Sequence, residues 1–95
     1  MNNKHIASYF KILSEPHRIR IIREICQKEY CVCELQKKIR IPQNLLSHHL
    51  KVLRDCKILL PRKEGRWVHY SLNKPKLTSL FSTFSCLLNH DKHIC

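Results

Sequence analysis

The stretch that decides the fold is Gln43-Asn44-Leu45-Leu46-Ser47-His48-His49-Leu50-Lys51-Val52-Leu53-Arg54-Asp55. Its pattern predicts a helix with two faces. The apolar face carries Leu46, Leu50 and Leu53. The opposite face is basic and rich in hydrogen-bonding groups, with Asn44, Ser47, His48, Lys51 and Arg54. Pro42 separates this helix from a shorter one predicted over about 32–39, so the two helices meet at a tight turn.

A basic hairpin is predicted directly after these helices. Two strand-like runs, 58–63 and 67–72, are joined through Glu64 and Gly65. Gly65 is the only glycine in the chain and marks the place where a positive φ is most needed. A charged stripe on one helix is often no more than a solvated face. Followed by a basic hairpin, the two helices match a winged helix-turn-helix, whose second helix enters the major groove of DNA.

Three further helices are predicted outside this motif. The first carries Ile6, Tyr9, Phe10 and Leu13 at helical spacing. The second begins at Pro16 and is expected to turn Ile19, Ile22, Ile25 and Cys26 inward. The last, over about 75–90, places Leu77, Leu80, Phe81, Phe84 and Leu88 on one face. The fold class is therefore mostly α with a small β-hairpin.

The first and last helices carry more apolar surface than a small domain can cover. A second copy of the chain would cover it most simply, which predicts a two-fold homodimer through these two helices. Such a dimer places two recognition helices in successive major grooves, about 34 Å apart, on a palindromic site in double-stranded DNA.

Length and composition agree with this interpretation. The 95 residues suffice for one domain, 1–95, with the helix-turn-helix at about 32–55, the wing at about 58–72 and the dimerisation helix at about 75–90. Lys and Arg number 18 against 7 Asp and Glu, a net charge of +11 that favours a polyanion partner. No segment resembles a signal peptide or a membrane span, so we expect a soluble, cytoplasmic protein with no membrane partner.

Two other classes of function account for less of the sequence. An enzyme with a Cys–His pair would need an orienting group, an oxyanion site or a phosphate-binding loop, and no such motif is present. A metal-buffering protein would explain the six cysteines but would leave the basic hairpin without a purpose. We therefore predict a DNA-binding protein and not an enzyme.

Four stretches resemble the ArsR/SmtB family of metal-responsive transcriptional repressors. They are Tyr9-Phe10-Lys11-Ile12-Leu13-Ser14, Glu29-Tyr30-Cys31-Val32-Cys33-Glu34-Leu35, Ser47-His48-His49-Leu50-Lys51-Val52-Leu53 and Arg62-Lys63-Glu64-Gly65-Arg66-Trp67-Val68-His69-Tyr70-Ser71-Leu72. The resemblance implies that the dimer without metal occupies an operator overlapping its own promoter. It also implies that a toxic ion, by binding thiolates, releases the dimer from DNA.

The resemblance assigns the ion to Cys31 and Cys33. In the arsenite-responsive branch a third cysteine follows the second by three positions, where this chain has Gln36. Thiolates select soft ions, and we favour arsenite or antimonite as the inducer. Cadmium, lead or zinc, and a thiol-redox or persulfide signal, remain open. The third ligand is left open among Cys26, Cys56, Cys86 and Cys95, from the same or the other subunit.

Both cysteines are predicted at the start of a helix, where free N–H groups lower a thiol's pKa. Side chains two positions apart in a helix project roughly 200° apart. We therefore expect that the two thiols meet on one ion only if the first helical turn distorts. The residues His90, Asp91, His93 and Cys95 form a second possible metal cluster, which we interpret as a frayed tail.

The DNA contacts are predicted on the second helix of the motif and on the hairpin. Gln43, Asn44, Ser47 and His48 are expected to reach base edges or phosphates. Lys51, Arg54, Arg62, Lys63 and Arg66 are expected to neutralise phosphates. His49 is expected to pack or to face the rim, and Trp67 and Tyr70 to anchor the inner face of the wing.

Overall fold

The computed structural model describes residues 2–88 and shows a mostly helical chain with a small antiparallel sheet. The predicted fold class is confirmed, and so are the bounds of both helices of the central motif. The first wing strand begins one residue later than predicted. The elements are α1 (Asn3–Leu13), α2 (Pro16–Ile25), β1 (Tyr30–Cys31), α3 (Val32–Ile39), α4 (Gln43–Asp55), β2 (Leu59–Glu64), β3 (Trp67–Leu72) and α5 (Lys74–Leu88).

Local chemistry sets the ends of the helices. Glu15 caps α2 by accepting a hydrogen bond from the backbone N–H of Arg18, and Pro16 occupies the first turn. Gly65 has a φ of 61°, as predicted for the wing turn. The expectation that this turn is the main place for a positive φ was incomplete, because Arg40 and Lys57 also adopt one. Both residues end helices, where a left-handed residue satisfies the last free carbonyls.

The core lies between α2, α3, α4 and the sheet. Leu46, Leu50 and Leu53 of α4 are buried, as the apolar stripe predicted. The prediction for α2 was partly wrong, because Ile21 and Ile25 are its buried residues, whereas Ile19 is 45% exposed and Cys26 is exposed. The helix packs against α3, α4 and β3 through the face that bears Ile21 and Ile25. Ile19 lies on another face, which helps line an apolar groove.

A two-residue strand, β1, was not predicted. It pairs with β3, so the sheet has the order β1-β3-β2 and all pairs are antiparallel. Tyr30 lies opposite Tyr70, and Cys31 lies opposite His69. A strand of two residues is too short to show an alternating pattern, so only its partner strand reveals it. β1 attaches the start of α3 to the wing.

The last helix, α5, buries only part of its apolar face. Leu80 is 1% exposed, whereas Phe81, Phe84 and Leu88 are between 42% and 70% exposed. The Phe10 ring of α1 packs edge-on against the rings of Phe81 and Phe84, with centroids 6.4 Å and 5.2 Å away. An apolar groove of about 230 Å³ lies beside them, lined by Leu13, Ile19, Ile22, Arg23, Leu77 and Phe81. The face that α1 and α5 share therefore remains open in a single copy of the chain.

No helix within residues 2–88 has both the length and the apolar character that a membrane span requires. Residues 89–95 lie outside the described part of the chain. The predictions for the end of the last helix and for His90, Asp91, His93 and Cys95 therefore remain predictions.

Candidate thiol site and nucleic-acid interface

The thiols of Cys31 and Cys33 lie side by side at the start of α3, with their Sγ atoms 2.8 Å apart. The expectation that they diverge was wrong. Cys31 is the N-cap of α3 and has extended backbone angles, φ −83° and ψ 163°, so it lies outside the helical turn. The 100° rotation per residue applies only within a helix. Both sulfurs can therefore face one ligand without unwinding of the first turn.

The environment of the pair keeps Cys31 protonated. Cys31 is 7% exposed, whereas Cys33 is exposed. The hydrogen bond with Cys33 and burial both raise the pKa of the Cys31 thiol, and they outweigh the hydrogen bond from the Glu34 backbone, which lowers it. The predicted lowering of the pKa by the helix start was therefore wrong for Cys31. A ligand must displace the proton of this thiol when it binds.

Glu34 fixes the position of Cys31. The backbone N–H of Cys31 donates a hydrogen bond to Oε1 of Glu34 at 3.0 Å, and this bond is the largest cause of the lowered pKa of Glu34. The two residues form a capping box, in which the side chain of each residue accepts a hydrogen bond from the backbone N–H of the other. Glu34 was not predicted as a functional residue, although a glutamate three positions after an N-cap is a recognisable signal.

No third ligand joins the pair within residues 2–88, where no group of three or more His, Cys, Asp or Glu side chains is arranged to hold a metal ion. Cys26 and Cys56 are free, and each thiol donates a hydrogen bond to a backbone carbonyl one helical turn earlier. Cys86 is disulfide-bonded and offers no thiolate in this state. Cys95 lies outside the described residues.

Gln36 occupies the position where the arsenite-responsive branch has its third cysteine. Its side-chain amide nitrogen donates a hydrogen bond to the carbonyl of Ile41, which ties α3 to the turn before α4. Within the described part of the chain, its buried Oε1 atom has no hydrogen-bond partner. Gln36 therefore supplies an unpaired acceptor where that branch supplies a soft ligand.

A cleft of about 500 Å³ opens beside Cys33, between α3, the start of α4 and the wing. Its lining includes Val32, Cys33, Gln36, Arg66, Trp67 and Val68. Trp67 is 54% exposed, so the expectation that it anchors the inner face of the wing was wrong. Tyr70, which is 6% exposed, has that role. Alternation along β3 explains the difference, because residues three positions apart lie on opposite faces of a strand.

The polar face of α4 points to solvent, as the two-stripe pattern predicted. Gln43, Asn44, Ser47, His48 and Lys51 are exposed, and Arg54 is half-buried beside Asp55. The structure thus brings together, on one surface, every residue predicted to contact DNA from this helix. The Lys63 and Arg66 side chains of the wing are exposed as well.

His49 lies on the opposite side of α4 and is 4% exposed. Its Nδ1 atom accepts a hydrogen bond of 3.1 Å from Nε of Arg18, and its Nε2 atom is 3.6 Å from the Glu15 carboxylate. Burial lowers the pKa of His49, and the nearby Arg18 charge adds to this, although Glu15 acts in the opposite direction. Burial therefore favours the neutral form of His49, whose side chain joins α4 to the start of α2.

Arg62 differs from the other basic residues of the wing. Its guanidinium pairs with Glu29 at 2.6 Å and with Glu64 at 2.5 Å. These hydrogen bonds raise the pKa of Arg62 and lower the pKa of both carboxyl groups. Nδ1 of His69 lies 3.9 Å from the same Glu29. Arg62 therefore anchors the wing to the segment before β1, a role that its position in the sequence did not reveal.

Comparison with known proteins gives consistent matches. The model of the family described as "Bacterial regulatory protein, arsR family" matches residues 15–59. The arsenical resistance operon repressor of Bacillus subtilis is 34% identical over 84 residues, which cover 87% of this chain and 80% of that protein. A cadmium resistance transcriptional regulatory protein CadC homolog of Staphylococcus aureus is 35% identical, covering 83% of this chain and 66% of that protein.

Two solved structures share the fold. An ArsR-like transcriptional regulator from Rhodococcus superposes with a TM-score of 0.85 at 21% identity, covering 95% of this chain and 85% of that chain. A winged helix-turn-helix domain from Mycobacterium bovis, described as homodimeric, gives a TM-score of 0.72 at 21% identity, covering 97% and 83%. The curated relatives described above are named as a repressor and a transcriptional regulatory protein, the class predicted for this chain. With its winged helix-turn-helix fold, the chain belongs to the arsR family of bacterial regulatory proteins.

Proposed function

We propose that this chain is a transcriptional repressor that occupies its operator as a homodimer and leaves it when a soft metal or metalloid ion binds Cys31 and Cys33. One observation carries the proposal: the two sulfurs lie 2.8 Å apart at the point where β1 meets α3. That point connects the wing, through β1, with the helix-turn-helix, through α3. This position supports the proposal, because an ion bound there would act on both of the proposed DNA-binding elements.

The DNA-binding surface in this proposal is the exposed face of α4 together with the wing. Gln43, Asn44, Ser47 and His48 reach base edges or phosphates. Lys51, Arg54, Lys63 and Arg66 neutralise phosphates, which agrees with the net charge of +11. The dimer forms through the open apolar face of α1 and α5, where Phe81, Phe84 and Leu88 are exposed.

Transmission from the thiols to DNA follows the backbone pairing. Cys31 is at once a member of β1 and the N-cap of α3, and it lies opposite His69 in β3. His69 in turn lies opposite Arg62 in β2. When Cys31 gives up its proton and its sulfur moves to a ligand, both β1 and the start of α3 must adjust. A coupling of about 1–3 kcal/mol is enough to lower operator affinity by roughly tenfold or more.

The two thiols fit soft ions, because soft sulfur ligands select soft ions over magnesium or calcium. We propose trivalent arsenic or antimony as the inducer, in line with the Bacillus subtilis relative. Cadmium, lead and zinc are the alternatives, in line with the cadmium-resistance relative. Since no third ligand is arranged within residues 2–88, the ion would be held by two thiols from this part of one chain.

The 2.8 Å separation also supports a second candidate signal, oxidation of the pair. Peroxide would take one hydrogen from each thiol, join the two sulfurs and leave as two molecules of water. A persulfide would act through the same two sulfurs. Release of DNA by peroxide in the presence of a metal chelator would favour this signal over a metal ion.

The experiment is fluorescence anisotropy of the full chain on DNA from upstream of its own gene, under reducing conditions. Arsenite, antimonite, cadmium, lead and zinc are titrated separately. We expect the parent protein to bind without an ion and to be released by arsenite or antimonite. The double variant Cys31→Ser/Cys33→Ser should bind equally well and should not be released.

Cys26→Ser is the matched control, because Cys26 is an exposed free cysteine outside the pair. It should respond as the parent does. If cadmium or lead alone releases the parent, the ion assignment moves to that alternative. If no ion releases it, the proposal of a metal-responsive repressor is wrong. Release by peroxide in the presence of a chelator then tests whether oxidation of the thiol pair is the signal.

A further inference from the structure

We propose that the preferred inducer is a trivalent arsenical that carries one carbon substituent, with Cys31 and Cys33 holding the arsenic and the cleft beside Cys33 taking the substituent. This inference rests on the proposed function and specifies the ligand of the same site. It depends on two independent features, the number of thiols and the shape of their surroundings.

The number of thiols matches an arsenical with two exchangeable positions. Trivalent arsenic forms three bonds, and inorganic arsenite carries a replaceable hydroxyl on each. Within residues 2–88, Cys31 and Cys33 are the thiols that pair, and Gln36 at the third position donates its amide nitrogen to the carbonyl of Ile41. An amide is not a soft ligand for arsenic. An arsenical whose third bond goes to carbon has no need of a third thiol.

The surroundings of Cys33 accommodate an apolar group. Cys33 is exposed and lines the cleft of about 500 Å³, and its Sγ atom lies 2.8 Å from that of the buried Cys31. Val32, Val68 and Trp67 supply an apolar wall. Trp67 has 54% of its surface exposed, so a ring placed there would bury apolar area on both sides. Burial of a ring of about 100 Å² is worth roughly tenfold or more in affinity.

The cleft also reaches the DNA-binding elements. Gln43, the first residue of α4, and Arg66 of the wing belong to its lining. A substituent seated between them would press on the recognition helix and on the wing together. The same site therefore explains how such a ligand changes operator affinity.

The binding step balances without an oxidant or reductant. A monosubstituted arsenical in water carries two hydroxyl groups on arsenic. The S–H bonds of Cys31 and Cys33 and the two As–O bonds break, two As–S bonds form, and two molecules of water leave. The As–C bond remains intact, and arsenic stays trivalent.

The test compares phenylarsenite, methylarsenite and arsenite on the full chain. Two readouts are followed: release of operator DNA by anisotropy, and emission of Trp67, which is the only tryptophan in the chain. We expect release at the lowest concentration with phenylarsenite, at about tenfold higher concentration with methylarsenite, and at a higher concentration again with arsenite. Trp67 emission should change most with phenylarsenite.

Two variants separate the two features. Val68→Phe fills the cleft and should remove the preference for phenyl over methyl, while arsenite still releases DNA. Gln36→Cys supplies a third thiol one helical turn after Cys33 and should shift the preference towards arsenite. The second variant keeps the test decisive if Val68→Phe does not fold.

The outcomes distinguish the inference from the proposed function. If arsenite acts at concentrations equal to or below those of both organic forms, the inference is overturned and the proposed function stands. If methyl and phenyl act alike, or if Val68→Phe leaves the phenyl preference unchanged, the assignment of the cleft is overturned. If none of the three arsenicals releases DNA or changes Trp67 emission, an arsenical is not the inducer. Both this inference and the arsenical inducer of the proposed function are then wrong.

Discussion

Helix α4 and the start of α3 lie close in sequence, but different interactions determine their structures. In α4, the apolar stripe of Leu46, Leu50 and Leu53 is buried and the polar stripe faces solvent. At the start of α3, the position of Cys31 depends on pairing with β3, about forty residues further along the chain. The comparison shows that a regular helix can be derived from spacing alone. A site of paired side chains depends on contacts that spacing does not encode.

The largest expected effect concerns the buried stripe of α4. Leu53 is fully buried, so Leu53→Ala should lower the free energy of unfolding by about 2–5 kcal/mol through lost burial and a cavity. Urea denaturation measures the change. Lys51→Ala, on the exposed face of the same helix, should alter stability by no more than about 0.5 kcal/mol. Equal effects of the two variants would contradict the division of α4 into a buried core face and an exposed face.

At the start of α3, the protonated thiol of Cys31 should determine how ion binding depends on pH. Because the pKa of Cys31 is raised, its thiol stays protonated through the neutral range. Cadmium must displace thiol protons, so its apparent affinity should rise about tenfold per pH unit for each proton displaced. A trivalent arsenical releases water and no net proton, so its affinity should change little between pH 6.5 and 7.5.

Titration calorimetry at three pH values measures the affinities of cadmium and of the arsenical for the same protein. The Cys26→Ser variant provides a control for thiol chemistry outside the pair. A cadmium affinity that stays constant with pH, or an arsenical affinity that falls as the pH rises, would show that Cys31 is already ionised, against the raised pKa of its thiol.

Two adjacent histidines of α4 offer a matched pair. His49→Phe removes the acceptor of the Arg18 hydrogen bond and should cost about 1–3 kcal/mol of stability. His48→Phe should leave stability nearly unchanged and weaken operator binding, because His48 is exposed. Thermal unfolding and anisotropy measure the two effects.

The pH dependence of stability gives an independent check of His49. Its pKa is lowered in the folded state, so the unfolded chain binds this proton more readily. The contribution of neutral His49 is present above the ordinary histidine pKa and is lost as the pH falls below it. Stability should therefore fall between about pH 7 and pH 5, and the fall should be smaller in His49→Phe.

The smallest expected effect separates two arginines of the wing. Arg66 is exposed, and Arg66→Gln should reduce the slope of log affinity against log salt by about one unit. Arg62 pairs with Glu29 and Glu64, and Arg62→Gln should change this slope by much less. Operator affinity measured at four salt concentrations gives both slopes. Equal changes would show that Arg62 leaves its carboxylates when the protein binds DNA.

Several features could be derived from the sequence because they depend on neighbours along the chain. Helical spacing, Pro42 and Gly65 were enough to predict the bounds of α3 and α4, the wing turn and the exposed face of α4. The Cys-x-Cys pair and the basic residues were visible for the same reason. These signals lie within one or two helical turns, where the backbone geometry is regular.

Other features could not be derived because they depend on which surfaces meet. Ile21, and not Ile19, faces the core, since α2 packs against α3, α4 and β3 together. Arg62 finds Glu29 across the sheet, 33 positions earlier in the chain. Trp67 lines an open cleft and Tyr70 is buried, although both are aromatic residues of one strand. Which of these side chains is buried, exposed or paired depends on how several elements pack together.

The sequence by itself determined that this chain forms a winged helix-turn-helix with an exposed polar face on its second helix and a Cys-x-Cys pair before it, because periodicity and residue chemistry are local properties. Only the tertiary structure decided that the two thiols meet. Pairing of β1 with β3 holds Cys31 in extended backbone just before α3, and this places its sulfur 2.8 Å from that of Cys33. A helix starting one residue earlier would have turned the two thiols apart.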